Sequence, residues 1–382
     1  MSGIIIFSME NPFVITGKIP PEYFCDREVE SRRLVSLITN GHNVLLVSPR
    51  RMGKTGLIYH CFDFPEIKDA YITIFVDILQ TTSLQEFTFL LGKAVYDAVL
   101  PKGRKMISKF IEALRSLAGK FTFDAVTGAP AFSIQLGDIA SPGYTLDEIF
   151  EFIDKTDTRC IVAIDEFQQI AMYPEKNVEA ILRTHIQRSS NCNFIFSGSR
   201  QHILSEMFFY PSRPFYNSTS ILHLDPIPED VYAQFAGRLF LSGGKDIDNA
   251  EVANLYKKFG GTTFYLQSVL NKAFYLTPRG ERCGKDIIDQ ALRDQIEAGG
   301  GLYREILSAL KIRQKELLVA IAKEEPARSI TSGDFIARNR LLSSSSVQSA
   351  MKKLSDLNLL AKTEEGVSIT DKFFAIWLRE TY

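Results

Sequence analysis

"NVLLVSPRRMGKTGL" (43–57) decides how the chain is read. The apolar run at 43–49 reads as a buried strand, and the residues after Gly53 read as the start of a helix. The tract between them ends like the phosphate-binding loop G-x-x-x-x-G-K-[ST], but it begins with Ser48 where that pattern has glycine. A phosphate cradle needs this order of parts, because consecutive backbone N–H groups and a helix N-terminus then face the anion. Gly53 lets the backbone come close to phosphate, Lys54 reaches the β- and γ-phosphates, and Thr55 offers a hydroxyl to Mg2+. Ser48 is an adequate substitute if its φ is negative, since only a left-handed backbone demands glycine there. Ser48, Pro49, Arg50, Arg51, Met52, Gly53, Lys54, Thr55 and Gly56 are thus the expected nucleotide contacts. Arg50 and Arg51 have a second reading, pairing with acidic groups on the core surface.

Four more strand-like runs follow: "YITIFVDI" (71–78), "RCIVAIDE" (159–166), "NFIFSGS" (193–199) and "STSILHLDP" (218–226). They alternate with helical stretches, one of them opened by Ser83 and Glu86 at capping-box spacing. That alternation predicts an α/β fold with a parallel sheet covered on both faces. "IVAIDEFQ" has the form of a Walker-B strand, in which Asp165 holds Mg2+ through water and Glu166 polarises an attacking water. An acidic pair closing a buried strand is costly unless it meets a metal or a partner. A glutamate in that place goes with an extra strand between the Walker-A and Walker-B strands, and "NFIFSGS" is available to supply it. The predicted strand order is therefore 5-1-4-3-2. Ser197 and Ser199 then end a central strand beside the γ-phosphate, or simply cap the next helix. Arg200 follows directly, placed to stabilise phosphate charge. The expected catalytic residues are Glu166, Lys54 and Arg200, the expected metal ligands Thr55 and Asp165, and the expected cofactors ATP or ADP with Mg2+.

Elsewhere the chain is ordinary. Its 382 residues, 45% hydrophobic and 23% charged with a net charge of −1, carry no global field for nucleic acid or an anionic membrane. Five scattered cysteines, without a C-x-x-C pair, argue against a zinc site or disulfide framework and for a reducing compartment. The start "MSGIIIFSMENPF" lacks a basic region, and its apolar run is too short for a signal peptide. No segment has the apolar length a bilayer requires. A soluble, cytoplasmic protein with no membrane partner is expected.

Three parts are expected in sequence. The α/β core spans 1–226 and carries an insertion at 101–136: a basic amphipathic helix over 101–120, with Met106, Phe110, Leu114 and Leu117 on one face, then a hairpin turning near Thr127 and Gly128. A helical lid spans 227–298, where Val231, Phe235 and Leu239 fall at helical spacing. "GGG" (299–301) reads as a linker, and 299–382 reads as short helices followed by a strand–turn–strand at 359–370, the outline of a winged helix-turn-helix.

These elements together resemble a known group. "YFCDREVE" (23–30) resembles the hhGRExE element that precedes the phosphate loop in the signal-transduction ATPases with numerous domains (STAND), with Asp26 in place of their glycine. "SPRRMGKTGL" (48–57) resembles the G-P-R-R-x-G-K-T-S-L loop of the archaeal-type ATPases in that AAA+-related group. "NPF" (11–13), "FSGSRQHIL" (196–204), "FGGTTFYLQ" (259–267) and "KFFAIWL" (372–378) resemble segments of bacterial members. The resemblance implies an ATP-binding core, a lid, and a winged helix that answers to nucleotide state. It implies that Arg27 and Glu28 lie near the adenine side. Gly260 and Gly261 match a lid element G-G-x-P, with Thr263 replacing its proline. It also implies a basic residue after the fourth strand, for which Arg200 and Arg213 both stand.

The function this implies is a Mg2+-dependent ATPase switch. The alternatives are a nucleotide-stabilised interaction module and a DNA-associated AAA+ protein. A protein contact through the winged helix or lid is favoured over DNA. Residues 301–382 hold 13 Lys/Arg against 10 Asp/Glu, the outer face of 343–360 offers only Ser349, Lys352 and Lys353, and Glu364 and Glu365 at the wing tip repel phosphate. The basic helix at 101–120 is a second candidate surface for an anionic partner.

Overall fold

Five parallel strands form the sheet that the phosphate loop requires. They are β1 (Val44–Val47), β2 (Tyr71–Asp77), β3 (Arg159–Asp165), β4 (Cys192–Ser197) and β5 (Ser220–His223), in a computed structural model that describes residues 11–123, 130–131, 133–363 and 365–382. Their spatial order is 5-1-4-3-2, as the Walker-B glutamate predicted. The register sets Asp77 opposite Asp165 and Leu46 opposite Ser197, so the ends of four strands meet the loop after β1. Each strand is shorter than its apolar run. Ser48 and Pro49, Glu166, and Gly198 and Ser199, which close three of the runs, leave the ladder as the chain turns toward the next helix.

Strands β3 and β4 are the centre of the sheet, and from Cys160 to Asp165 and Cys192 to Ser197 every residue is buried. One face is covered by α1 (Glu28–Thr39) and α2 (Lys54–Phe62), which contribute Leu34, Ile38, Leu57 and Ile58. The other is covered by α3 (Leu84–Val99), α4 (Arg104–Ala113), α5 (Pro142–Lys155) and α6 (Val178–Arg188), through Phe87, Leu91, Phe110, Leu146, Ile149 and Leu182. Ser83 caps α3 by accepting the Glu86 N–H at 3.2 Å.

The insertion departs from the expected single helix over 101–120. Helix α4 ends at Ala113 and a 3-10 turn follows at Arg115–Leu117. Glu148, on α5 and 1% exposed, accepts the Ser116 N–H at 3.1 Å and the Ser116 hydroxyl at 2.5 Å. That buried carboxylate satisfies the backbone where the helix breaks, and the apolar face survives the break, with Leu114 and Leu117 both buried. After it, Thr122–Phe123 pairs antiparallel with Pro130–Ala131, while the turn at Thr127 and Gly128 lies outside the described residues.

Residues 18–227 form one compact unit, and 11–17 with 228–382 form a second. The second unit begins with "NPF". Phe13 is fully buried among Phe235, Phe240 and Phe274, and Asn271 fixes the segment by donating to the Phe13 carbonyl at 2.7 Å and accepting from Asn11 at 2.8 Å through its own. The unit continues with α8 (Glu229–Ser242), α9 (Asn249–Phe259), α10 (Thr263–Leu276) and α11 (Lys285–Ala309).

The glycine triplet is not a linker. It lies inside α11, which runs unbroken from Lys285 to Ala309. Each helical glycine costs roughly 0.5–1 kcal/mol in backbone entropy, and close packing offsets it at Gly299 and Gly300, whereas a Cβ on Gly301 would meet nothing within 4 Å. A Cβ on Gly299 would stand 2.4 Å from the Tyr303 ring, and Gly300 is buried with Trp377 within van der Waals reach. Tyr303 in turn stacks on Phe374 at 4.9 Å.

Beyond α11 come α12 (Ile312–Lys323), α13 (Gly333–Arg338), α14 (Ser344–Asp356), the antiparallel pair β6 (Leu360–Thr363) and β7 (Gly366–Ile369), and α15 (Lys372–Thr381). This is the winged-helix outline. Val347, Ala350 and Leu354 of α14 face inward, and Ser349, Lys352 and Lys353 are exposed. Glu364 of the wing tip lies outside the described residues. Tyr265 ties α10 to this end, donating to the Thr370 carbonyl at 3.3 Å and accepting the Lys372 N–H at 2.9 Å. Among the described residues no helix is long and apolar enough to cross a membrane, and the five cysteines are buried and form no disulfide.

Candidate nucleotide site

The loop leaves β1 at Val47. Its left-handed residues are Arg51 (φ 68°) and Gly53 (φ 88°), and Ser48 is not among them, so a serine costs the loop nothing at that position. Ser48 is 2% exposed and donates its hydroxyl to the Pro49 carbonyl at 3.0 Å. Met52 is buried and anchors the loop from below, whereas Pro49 and Arg50 are exposed. Gly53 caps α2, whose first turn presents N–H groups without intrahelical partners. A Cβ on Gly56 would make only ordinary contacts with Ile19 and Phe24, so nothing in the packing requires glycine there.

Lys54 opens α2 and is 7% exposed. Its ammonium donates to the Ser48 carbonyl (3.2 Å), the Ser48 hydroxyl (3.1 Å) and the Pro49 carbonyl (3.0 Å), none of them a carboxylate. Burial lowers its pKa, Asp165 and Glu166 oppose that, and Arg50 adds to it. A buried ammonium surrounded by neutral oxygens is short of negative charge.

Three acidic residues converge on the other side. Asp165, 6% exposed, accepts the Thr55 hydroxyl at 2.6 Å on one oxygen, and the Ser197 hydroxyl at 2.6 Å and the Glu166 N–H at 3.0 Å on the other. Glu166 sits at φ 57°, and its Oε2 accepts the Ser199 hydroxyl at 2.7 Å, the Ser199 N–H at 3.2 Å and the Gln168 amide at 2.5 Å. Asp77 is the third. Desolvation raises its pKa from the ordinary aspartate value; the Leu79 N–H opposes this, and Asp165 and Glu166 add to it.

The structure thus brings together Ser48, Lys54, Thr55, Asp165, Glu166, Ser197 and Ser199. It treats the arginines differently. Arg200 stands at the N-terminal boundary of the helix α7 (Gln201–Phe209) without a capping side-chain bond and directly follows Ser199. Arg213 is committed to Glu179 and Glu206, which ties α6 to α7. Arg27, left-handed at φ 66° after Asp26 at φ 46°, is 4% exposed and donates to Glu30 at 2.8 Å and to the Asp225 carbonyl at 2.5 Å, with its second terminal nitrogen buried and unpartnered. The left-handed backbone at Asp26 explains why glycine suits that place in the resembling motif.

Asp77 and Gln168 were missed by the sequence reading. Asp77 closes a strand run, as Asp165 does, but only the β2–β3 register places it beside the acidic pair. Gln168 follows Glu166 by two residues, and nothing in the spacing says that it turns back.

The residues fit Mg2+ and a nucleotide phosphate. The donors are hard oxygens, and the unneutralised ammonium of Lys54 faces them. Among the described residues no group of three or more His, Cys, Asp or Glu is arranged to hold a metal alone. That suits a Mg2+ that takes most of its ligands from phosphate and water.

Two family models match. One, an ATPase domain predominantly from Archaea, covers residues 24–269, and the other, a probable winged helix domain, covers 301–380. No curated protein matches the chain. Among solved structures, the chain is similar to a Walker-type ATPase of Pyrococcus abyssi, with 19% identity, a TM-score of 0.67, and coverage of 96% of this chain and 99% of that one. It is also similar to the ORC2 protein of Aeropyrum pernix in ADPNP and ADP complexes, with 15% identity, a TM-score of 0.58, and 97% and 96% covered. A third is the ORC1 protein of Aeropyrum pernix in complex with DNA, with 14% identity, a TM-score of 0.54, and 97% of each chain covered. At these identities the likeness is one of fold.

Proposed function

The chain belongs to the family of ATPase domains found predominantly in Archaea, followed by a winged helix, and on that premise we propose that it is a Mg2+-dependent ATPase acting as a nucleotide-controlled switch. One observation carries the reading: the buried Lys54 ammonium, bonded only to neutral oxygens, lies beside the Thr55–Asp165 pair.

In this reading the first-turn N–H groups of α2 and Lys54 hold the phosphates. Thr55 and Asp165 hold Mg2+, Asp165 through water, and Arg27 lies on the base side. Mg2+ when bound neutralises phosphate charge and fixes phosphate orientation. Glu166 orients a water and takes its proton, and Ser199 and Arg200 stabilise charge on the γ-phosphate. Arg200 is preferred to Arg213, which two carboxylates already occupy. The helical lid segment from 228 and the winged helix, which share α11, are the parts that answer to nucleotide state, and their partner is a protein. Against DNA stand the thin basic face of α14 and the pairing of Lys109, Arg115 and Lys120 with carboxylates around the insertion.

A second reading, a nucleotide-stabilised module with negligible turnover, is favoured by the three donors that restrain Glu166. Titrating wild type and Lys54→Ala with MgATP tests the site itself. The expected result is binding lost in the variant; equal affinity in both would sink the assignment.

A further inference from the structure

Gln168 is almost completely enclosed, at 1% exposure, and its amide is divided between two neighbours. The Nε2 end donates to Glu166 Oε2 at 2.5 Å, and the Oε1 end is buried without a partner. The amide has no second orientation, because turning it over sets Oε1 against a carboxylate oxygen, two acceptors at bonding distance. Oε1 lies instead against Gly198, where a Cβ would stand 1.9 Å from it. Gly198 separates Ser197, which holds Asp165, from Ser199, which holds Glu166. An unpartnered buried acceptor is a net cost, and the bond from the other end of the same amide to Glu166 offsets it.

We propose that Gln168 is a positioning residue for Glu166, seated by the missing side chain of Gly198. This rests on the ATPase reading above. Ser199 has one hydroxyl proton. Once that proton serves a γ-phosphate oxygen, the Ser199 hydroxyl no longer donates to Glu166, and Gln168 is the side chain that still does. All three donors in the structure converge on Oε2. Gln168 therefore keeps that oxygen engaged and leaves Oε1, which carries none of these bonds, to receive the proton of water. The pair also couples the end of β4 to the catalytic carboxylate, since any displacement of Gly198 moves the amide that holds Glu166.

The test compares MgATP turnover and ATP affinity in wild type, Gln168→Leu, Gln168→Glu and Gly198→Ala. Gln168→Leu and Gly198→Ala are expected to lower kcat by about tenfold to a hundredfold, the scale of a roughly 1 Å misplacement, with affinity within about twofold of wild type. Their combination adds little, because both act through one contact. Gln168→Glu keeps the shape and donates only while protonated, so its rate relative to wild type is highest at low pH and falls as pH rises. That pH signature is absent from a merely structural role, and it carries the test should Gly198→Ala fail to fold. Wild-type turnover with an unchanged kcat in Gln168→Leu, or a Gln168→Glu profile parallel to wild type, would overturn this role alone. A wild type that binds MgATP and never turns it over would overturn both this role and the hydrolytic reading.

Discussion

Lys54→Met should leave the ligand-free fold standing while removing its hold on nucleotide. Methionine keeps most of the stem's volume and deletes the ammonium from a site that is 7% exposed. Two effects then oppose each other in the free protein. Three bonds to neutral oxygens are lost. Against that, burial lowers the folded pKa of Lys54, so the charged amine subtracts from stability below that pKa, with relief only as pH rises through it. The net change is about 1 kcal/mol either way, or roughly 2–4 °C in a unit the size of residues 18–227. With nucleotide the balance is one-sided. Two charge-assisted bonds to phosphate, about 1.5–3 kcal/mol each, weaken affinity by roughly a hundredfold to ten-thousandfold. Thermal unfolding with and without MgATP reads both. Wild type at about a hundred times its Kd gains about 2.7 kcal/mol, roughly 5–11 °C, and the variant gains nothing. A variant that keeps the MgATP shift would refute the reasoning, and so would a ligand-free loss beyond about 10 °C.

Three further outcomes follow from the acidic cluster and the winged helix. Ser197→Ala removes a 2.6 Å bond to a buried carboxylate, so unfolding should come at a temperature lower by roughly 3–12 °C, from about 1.5–3 kcal/mol; a shift under a degree would mean the hydroxyl does not support Asp165. Asp77 has a raised folded pKa, so its ionised form costs stability above that pKa and the cost is relieved as pH falls through it. Asp77→Asn should therefore melt higher than wild type at neutral pH, the gap closing toward acid and on adding Mg2+; a gap independent of both would contradict the like-charge account. Lys352→Glu with Lys353→Glu should leave duplex-DNA binding at physiological salt as weak as in wild type, measured by anisotropy, whereas a tight wild-type affinity that falls with salt and is lost in the variant would place DNA on α14.

The sheet order was readable because one glutamate after a Walker-B strand required a strand between β1 and β3, and "NFIFSGS" alone had the composition and position for it. The run's two serines were readable as residues near the acidic pair, but their bonds were not: Ser197 ends the strand and donates to Asp165, and Ser199, two residues past it, donates to Glu166. Less was readable where tertiary packing decides. Gly299 and Gly300 mark close approach of aromatic rings inside an unbroken helix, a role that in sequence looks the same as flexibility. The break in the inserted helix depends on Glu148, more than thirty residues away. Asp77 needed the strand register, and Gln168 needed the missing Cβ of Gly198; neither is a periodicity or a motif. Ser48 was readable once reduced to a backbone question, and its φ answers it.

The most direct test is MgATP hydrolysis by wild type and Glu166→Gln, with ATP affinity measured for both. The account predicts that both bind and only wild type turns over. Turnover by Glu166→Gln at the wild-type rate, or binding by neither protein, would contradict it.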